Sequence, residues 1–294
     1  MKIATAAYQL DEFDSWDAYA EKIEAWVAEA AGQGADLLVF PEYAAMELAP
    51  LVGRAVSAEL EPSLRAVSER MPEADALHAT LAGQYGVHIL GGSAPVYDDA
   101  LGSRPVNRAA FFAPGGAKGV VDKQIMTRWE REPMECVGGG PLKVFDTGLG
   151  RIGVLICYDS EFPLLGRAMQ DVDVLLVPSC TETLAGYWRV RIGSMARALE
   201  QQCVSAMSSL VGEAAWSEVC DVTTGAGGVF GPPDIGFPPT GVLAEGVLDA
   251  PGWTFAEVDL EKIAQVRADG GVLNRTHWAE QAGRDGAPKV ERLQ

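Results

Sequence analysis

Three side chains in this sequence stand where a group must stand in order to react. Glu42 closes the string LLVFPE, directly after an apolar run and a proline. A carboxylate at that point lies at the C-terminal end of a strand, where α/β sheets place their ligands. The plain alternative is a solvated loop acid. Cys157 closes IGVLIC and is followed by YDSEFP. A thiol at a strand-to-turn junction is rigidly held yet can reach a pocket, as a nucleophile must; otherwise it is an inert core cysteine. Lys123 follows GVV in GVVDKQIMTRWERE. A fixed cation beside a thiol favours the thiolate and then a developing oxyanion, although a lone lysine is usually solvated. Glu130 lies seven residues after Lys123, with Glu132 and Glu135 as alternatives in the same charged run. His78, His88 and His277 are far apart, and none is near Cys157 in sequence. If Cys157 is catalytic, its base is therefore expected to be a carboxylate. Of the other cysteines, Cys136, Cys203 and Cys220 read as buried and inert, and Cys180, closing VLLVPSC, as standing near a pocket rim without reacting.

These residues need a scaffold, and the apolar pattern supplies one. Residues 2–8 read as a first strand and 15–31 as a helix with apolar Trp16, Tyr19, Ile23, Trp26, Val27 and Ala30 at helical spacing. LLVF (37–40) reads as a strand buried on both faces, 57–85 as an interrupted helical stretch, and VHILGGSA (87–94) as a strand. Hairpins are predicted at 107–121 and 144–157, a helix after Pro163, a strand at 172–180, a helix at 188–201, and strands at 203–210 and 254–259. Residues 225–239, rich in Gly and Pro, are predicted to be loop. ADLLVFPE (35–42) matches VDVLLVPS (172–179) at an offset of 137 residues, a weak duplication that suggests two similar α/β layers. One domain over 1–269 is expected, with a polar C-terminal tail over 270–294 that could pack on a partner subunit.

Composition narrows the class. The chain has 294 residues and a formal net charge of −18, a field that repels nucleic-acid phosphates and anionic membranes. No apolar stretch approaches the ~18 residues of a membrane helix, the N-terminus is too polar for a signal peptide, and five cysteines form no CxxC pair. A cytoplasmic, thiol-reduced protein is expected, without metal-ligand spacing or a phosphate-binding glycine loop.

Taken together and in order, VFPEY with Glu42, VVDKQIMTRWER with Lys123 and GVLICYDSEFP with Cys157 resemble the three signature blocks of the nitrilase (carbon–nitrogen hydrolase) superfamily. RALEQQ (197–202) is similar to the family's Arg-Ala-x-Glu-Asn helix, with Gln201 in the usual Asn position. The likeness runs from Ile3 to about Arg267. It implies an α/β fold of the four-layer αββα type, a Glu-Lys-Cys triad, hydrolysis of non-peptide C–N bonds, no cofactor, and assembly into homodimers or larger homo-oligomers. Two features point to different branches. The Lys-x-x-Met-x-x-x-Glu-Arg run (123–131) resembles true nitrilases, whereas Cys157-Tyr158-Asp159 looks like amidases, true nitrilases usually carrying Cys-Trp-Glu. Tyr187-Trp188 stands where relatives often have His-Trp.

The expectation is hydrolysis of a small primary amide or carbamoyl compound to carboxylic acid and ammonia through a thioester. Glu42 is the base, Cys157 the nucleophile and Lys123 the oxyanion partner, with the Tyr158 N–H assisting and Glu130 orienting Lys123 or the substrate nitrogen. Glu182, Tyr187, Trp188 and Arg189 are expected to line the pocket. The alternatives are a nitrilase, and a catalytically inactive binding or scaffold protein on the same fold.

Overall fold

Apolar runs of strand length become one hydrogen-bonded sheet that folds over on itself. The structure, a computed structural model, describes residues 1–284 and 286–293. Its first half holds β1 (Lys2–Tyr8), α1 (Trp16–Gly32), β2 (Leu37–Val39), a 3-10 stretch (Ala44–Val52), the short α2 (Arg54–Ser57), the long α3 (Leu60–Tyr85), β3 (His88–Leu90), β4 (Ala94–Val96), β5 (Val106–Phe112), β6 (Lys118–Asp122) and the single turn α4 (Arg128–Arg131). Then follow β7 (Val144–Thr147), β8 (Gly150–Val154), a 3-10 turn (Cys157–Glu161), α5 (Pro163–Ala168), β9 (Val174–Ser179), α6 (Leu184–Gln201) and β10 (Val204–Leu210). The chain ends with β11 (Gly212–Glu213), β12 (Val222–Thr223), β13 (Gly228–Phe230), β14 (Val242–Glu245), β15 (Gly252–Glu257), α7 (Leu260–Asp269), α8 (Asn274–His277) and a last 3-10 turn (Trp278–Gln281).

β1, β2 and β3 are parallel neighbours, and so are β10, β9 and β8. The duplicated strings supply the middle strand of each trio. β1 and β10 pair with each other only at Ala7–Ser209 and Tyr8–Leu210. Elsewhere β15 takes that edge of β1, and β13 takes that edge of β10. The two half-sheets thus join near the C-terminal ends of their central strands and diverge from there, facing one another.

Side chains alternate along each strand with a period of two. Leu38, Phe40, Ile89, Ala110 and Phe112 enter one core with Tyr19, Ile23 and Val27 of α1 and Leu64, Val67 and Met71 of α3. Leu37, Val39, Leu90, Ala109 and Phe111 enter a second core with Ile152, Val174, Val204 and the inner face of α6. Helices, sheet, sheet, helices is the four-layer αββα sandwich the sequence resemblance implied. Among the described residues, no helix is long and apolar enough to cross a membrane.

Three local expectations are corrected, and the start of the segment after residue 270 is located. Residues 225–239 are not all loop, because Gly228–Phe230 forms β13 between β10 and β14. The glycines that suggested a loop are what admit a strand here. A Cβ at Gly227 would lie 2.7 Å from the hydroxyls of both Thr5 and Thr254, where the half-sheets separate. VHILGGSA is not one strand: it holds β3, a break at residues 91–93 and the first residue of β4. α6 begins at Leu184, not at 188, because Thr183 caps it by accepting from the Gly186 N–H. The segment after residue 270 begins on its own chain. The Gln202 amide donates to the Val272 carbonyl and accepts from the Arg275 N–H, both at 3.1 Å, and the Arg167 guanidinium lies over the Trp278 ring.

Candidate active site

Strand ends bring the candidate residues together. Glu42 follows β2, Lys123 follows β6, and Cys157 opens the turn after β8. Lys123 is only 1% exposed, and its Nζ donates to Glu42 Oε1 and to Glu130 Oε2, both at 2.7 Å. The Asn107 amide on β5 bridges the same two carboxylates, at 2.8 Å from Glu42 and 3.1 Å from Glu130. Tyr43 Oη donates to Glu130 Oε1 at 2.7 Å. Glu130 also closes a capping box, its Oε2 accepting from the Thr127 N–H and hydroxyl at 2.8 and 2.9 Å. On the far side the Cys180 N–H donates to Glu42 Oε2 at 3.0 Å, and the Cys157 thiol donates to the Cys180 carbonyl at 3.7 Å.

Two local constraints fix the Cys157 turn. Cys157 has φ of 49°, a left-handed conformation uncommon for a side chain of this kind, and it turns the chain sharply out of the sheet. Asp159 then accepts from the N–H groups of Gln124 and Ile125 at 2.9 and 2.8 Å, which bolts the turn to the segment just after Lys123. α6 approaches this turn so closely that a Cβ at Gly193 would lie 2.9 Å from the Ser160 carbonyl.

The electrostatics separate the two glutamates. Burial opposes the Lys123 charge, but Glu130 and Glu42 overcome it and hold the ammonium well above its ordinary range. Burial would also raise Glu130, yet Lys123 and the Thr127 and Tyr43 donors bring it down to about 2. Glu42 is raised, chiefly by burial and further by the Glu130 charge, against the pull of Lys123. Burial and the Glu42 charge push the Cys157 thiol well up. One carboxylate is therefore a fixed anion and the other is suited to carrying a proton.

The four groups line a cavity of about 490 Å³. Tyr158, Glu182 and Arg189 are on its wall, whereas Tyr187 and Trp188 are not. With α6 starting at Leu184, helical spacing turns Gly186, Arg189 and Val190 toward the cavity. Tyr187 is instead buried against Arg191, and Trp188 is exposed. Glu132 and Glu135 lie outside the wall. Sequence reasoning missed Tyr43, Asn107, Thr127 and Glu161. The Thr-x-x-Glu spacing of Thr127 and Glu130 was a visible capping signal. Among the described lining residues that reach solvent, the acids Glu161, Glu182, Glu218 and Asp221 outnumber the cation Arg189. A second cavity of about 510 Å³, beside the end of α6, holds none of the reactive residues.

A sequence model described as carbon-nitrogen hydrolase matches residues 4–268. The probable hydrolase YhcX of Bacillus subtilis is 32% identical over 276 residues, 92% of this chain, which spans about half (52%) of that relative's length. A deaminated glutathione amidase of Synechocystis is 25% identical over 280 residues, covering 89% of this chain and 93% of the relative. Nit3 of Saccharomyces cerevisiae, a member of branch 10 of the nitrilase superfamily, shares the fold with a TM-score of 0.70 at 21% identity, over 91% of this chain and 93% of its own.

The Glu130 shift makes an acid-stability prediction. Its folded value of about 2 lies below the ordinary 4.5, so its charge stabilises the fold fully above pH 4.5 and progressively less as pH falls toward 2. The stability gap between wild type and Glu130→Gln should be on the order of 3 kcal/mol at pH 7 and narrow steadily below about pH 4.5. Urea melts at stepped pH measure it, and a gap that widens toward acid contradicts the assignment.

Proposed function

The chain belongs to the carbon–nitrogen hydrolase family, and we propose that it is a C–N hydrolase that cleaves a small primary amide or carbamoyl compound through a thioester on Cys157. One observation supports this above the others: a buried ammonium held at 2.7 Å by two carboxylates, on the wall of the cavity that also contains a buried thiol. The thiol is protonated at rest, so activation requires a base, and Glu42 is the raised carboxylate. Glu42 takes the thiol proton as sulfur attacks the carbonyl carbon. Lys123 Nζ and the Tyr158 N–H, the latter free of intrahelical duty at the start of its turn, stabilise the oxyanion. Removing such a donor costs about 10²–10³ in rate. Protonated Glu42 passes its proton to the departing ammonia. Water, deprotonated by Glu42, then attacks the thioester and releases the carboxylic acid. Glu130 keeps its charge throughout and holds Lys123 in place. Glu182 and Arg189 would contact the acyl end, and the acidic mouth suits a neutral or cationic acyl group.

A second proposal concerns assembly. Leu184, Trp188, Ile192 and Leu199 form a stripe along the outer face of α6, and Leu164 on α5 is 82% exposed. We propose that this face packs on a second copy of the chain.

Four outcomes are expected. Cys157→Ala and Cys157→Ser abolish turnover while the circular-dichroism spectrum and melting are kept, and mass spectrometry finds an acyl adduct on Cys157 in wild type. In single-turnover assays Glu42→Gln loses at least about 10²-fold in thioester formation, whereas Glu130→Gln retains measurable acylation. An adduct on another cysteine, or a silent Glu42→Gln, rejects the mechanism. In an ammonia-release screen, neutral and cationic amides outperform anionic ones, and paired nitriles are inert; direct release of acid from a nitrile would make the protein a nitrilase. By light scattering at micromolar concentration, wild type is a dimer or larger and Ile192→Glu shifts toward monomer, while a wild-type monomer with full activity refutes the interface.

A further inference from the structure

Two free cysteines that the mechanism leaves idle also line the catalytic cavity. Cys180 directly follows β9, and Cys220 lies in the segment between β11 and β12. Their Sγ atoms are 3.7 Å apart although the residues are 40 positions apart in the chain. A disulfide holds its sulfurs at about 2.05 Å, so a bond requires them to approach by roughly 1.6 Å. Cys180 is partly exposed and opens on the cavity, which gives a small oxidant access. Its backbone is already part of the site. The Cys180 N–H holds Glu42 at 3.0 Å, and its carbonyl receives the Cys157 thiol.

We propose that Cys180 and Cys220 form an oxidant-sensitive thiol pair, converted by a peroxide to a disulfide that reversibly lowers turnover. The Cys180 thiolate attacks one oxygen of hydrogen peroxide; an S–O bond forms, the O–O bond breaks, and the departing hydroxide leaves as water with the proton Cys180 gave up. The Cys220 sulfur then attacks the Cys180 sulfur. The S–S bond forms, the S–O bond breaks, and the second hydroxide leaves as water with the Cys220 proton. Two thiols lose two electrons and one peroxide becomes two waters. The hydrogen bond with Cys220, and burial after it, hold the Cys180 thiol well up, so the thiolate fraction and the oxidation rate increase with pH. Once formed, the bond draws on the backbone that aligns Glu42 and Cys157. A misplacement of about 1 Å at a reacting centre can cost about 10² in rate.

The link to turnover rests on the proposed roles of Glu42 and Cys157, whereas disulfide formation does not. The test treats wild type, Cys220→Ser and Cys157→Ala with graded hydrogen peroxide at pH 8.5, blocks residual thiols with N-ethylmaleimide, and maps peptides before and after dithiothreitol. In wild type a cross-linked Cys180–Cys220 peptide is expected, lighter by about 2 Da than its reduced components, with activity falling about tenfold or more and returning on reduction. Cys220→Ser, referenced to its own reduced activity, should lose no activity by this route and yield no cross-link. Cys157→Ala should still form the cross-link, so the pair is tested even if the nucleophile is misassigned. Absence of the cross-link, a cross-link that leaves activity unchanged, or equal reversible loss in Cys220→Ser would each overturn the proposal.

Discussion

A single buried cation organises this molecule. Lys123 is withdrawn from water and satisfied by two carboxylates that are equally withdrawn. Burial of three charges is costly, and an apolar trio of similar volume would commonly be as stable or more so. What the arrangement provides is a fixed field inside a cavity. Because the trio has one more negative charge than positive, its members cannot all be equally comfortable as ions. Glu130 receives the capping box and Tyr43 and keeps its charge, while Glu42 is left as the carboxylate nearest to taking up a proton. The difference between two chemically identical side chains arises wholly from their neighbours.

Each of these neighbours is placed by a strand end or a tight turn. β2, β6, β8 and β9 end in or just before the site, and β5 begins beside it with Asn107. Tyr43 and Cys157 both have positive φ, so the residues at both walls leave their strands abruptly. Asp159 couples the Cys157 turn to the segment after Lys123 through backbone N–H groups. Positioning of this kind suits a site that must hold reacting groups within fractions of an ångström.

Glu42, Lys123 and Cys157 each close or follow an apolar run, which alone leaves a solvated or core role open; the three signature-like blocks in order are what mark them as candidates. Glu130 was distinguishable from Glu132 and Glu135 only by its spacing from Lys123, and the capping box on Thr127 carries the same information. Asn107 could not be read, since one amide in VNRAAFF resembles any strand polar residue until both carboxylates are placed beside it. Tyr187 and Trp188 were misplaced by the phase of one helix. A start at Leu184 rather than four residues later rotates them off the cavity while keeping Arg189 on it. The Gly-rich 225–239 segment misled for a different reason. Glycine there answers a close approach between strands, a requirement that only tertiary structure creates.

The join between half-sheets has a consequence for biosynthesis. The edge of β1 that meets β10 and β15 awaits partners some 200 and 250 residues downstream, with Lys2 opposite Glu257 and Ala7 opposite Ser209. At roughly 5–20 residues per second, the nascent chain carries that strand with one edge unpaired for about ten seconds or more. Glu42 likewise has no Cys180 N–H, and Lys123 no completed cavity, until the second half has emerged. The chain therefore assembles its candidate site late, as a high-contact-order fold, and during translation its first half is a half-sheet in need of protection from other edges.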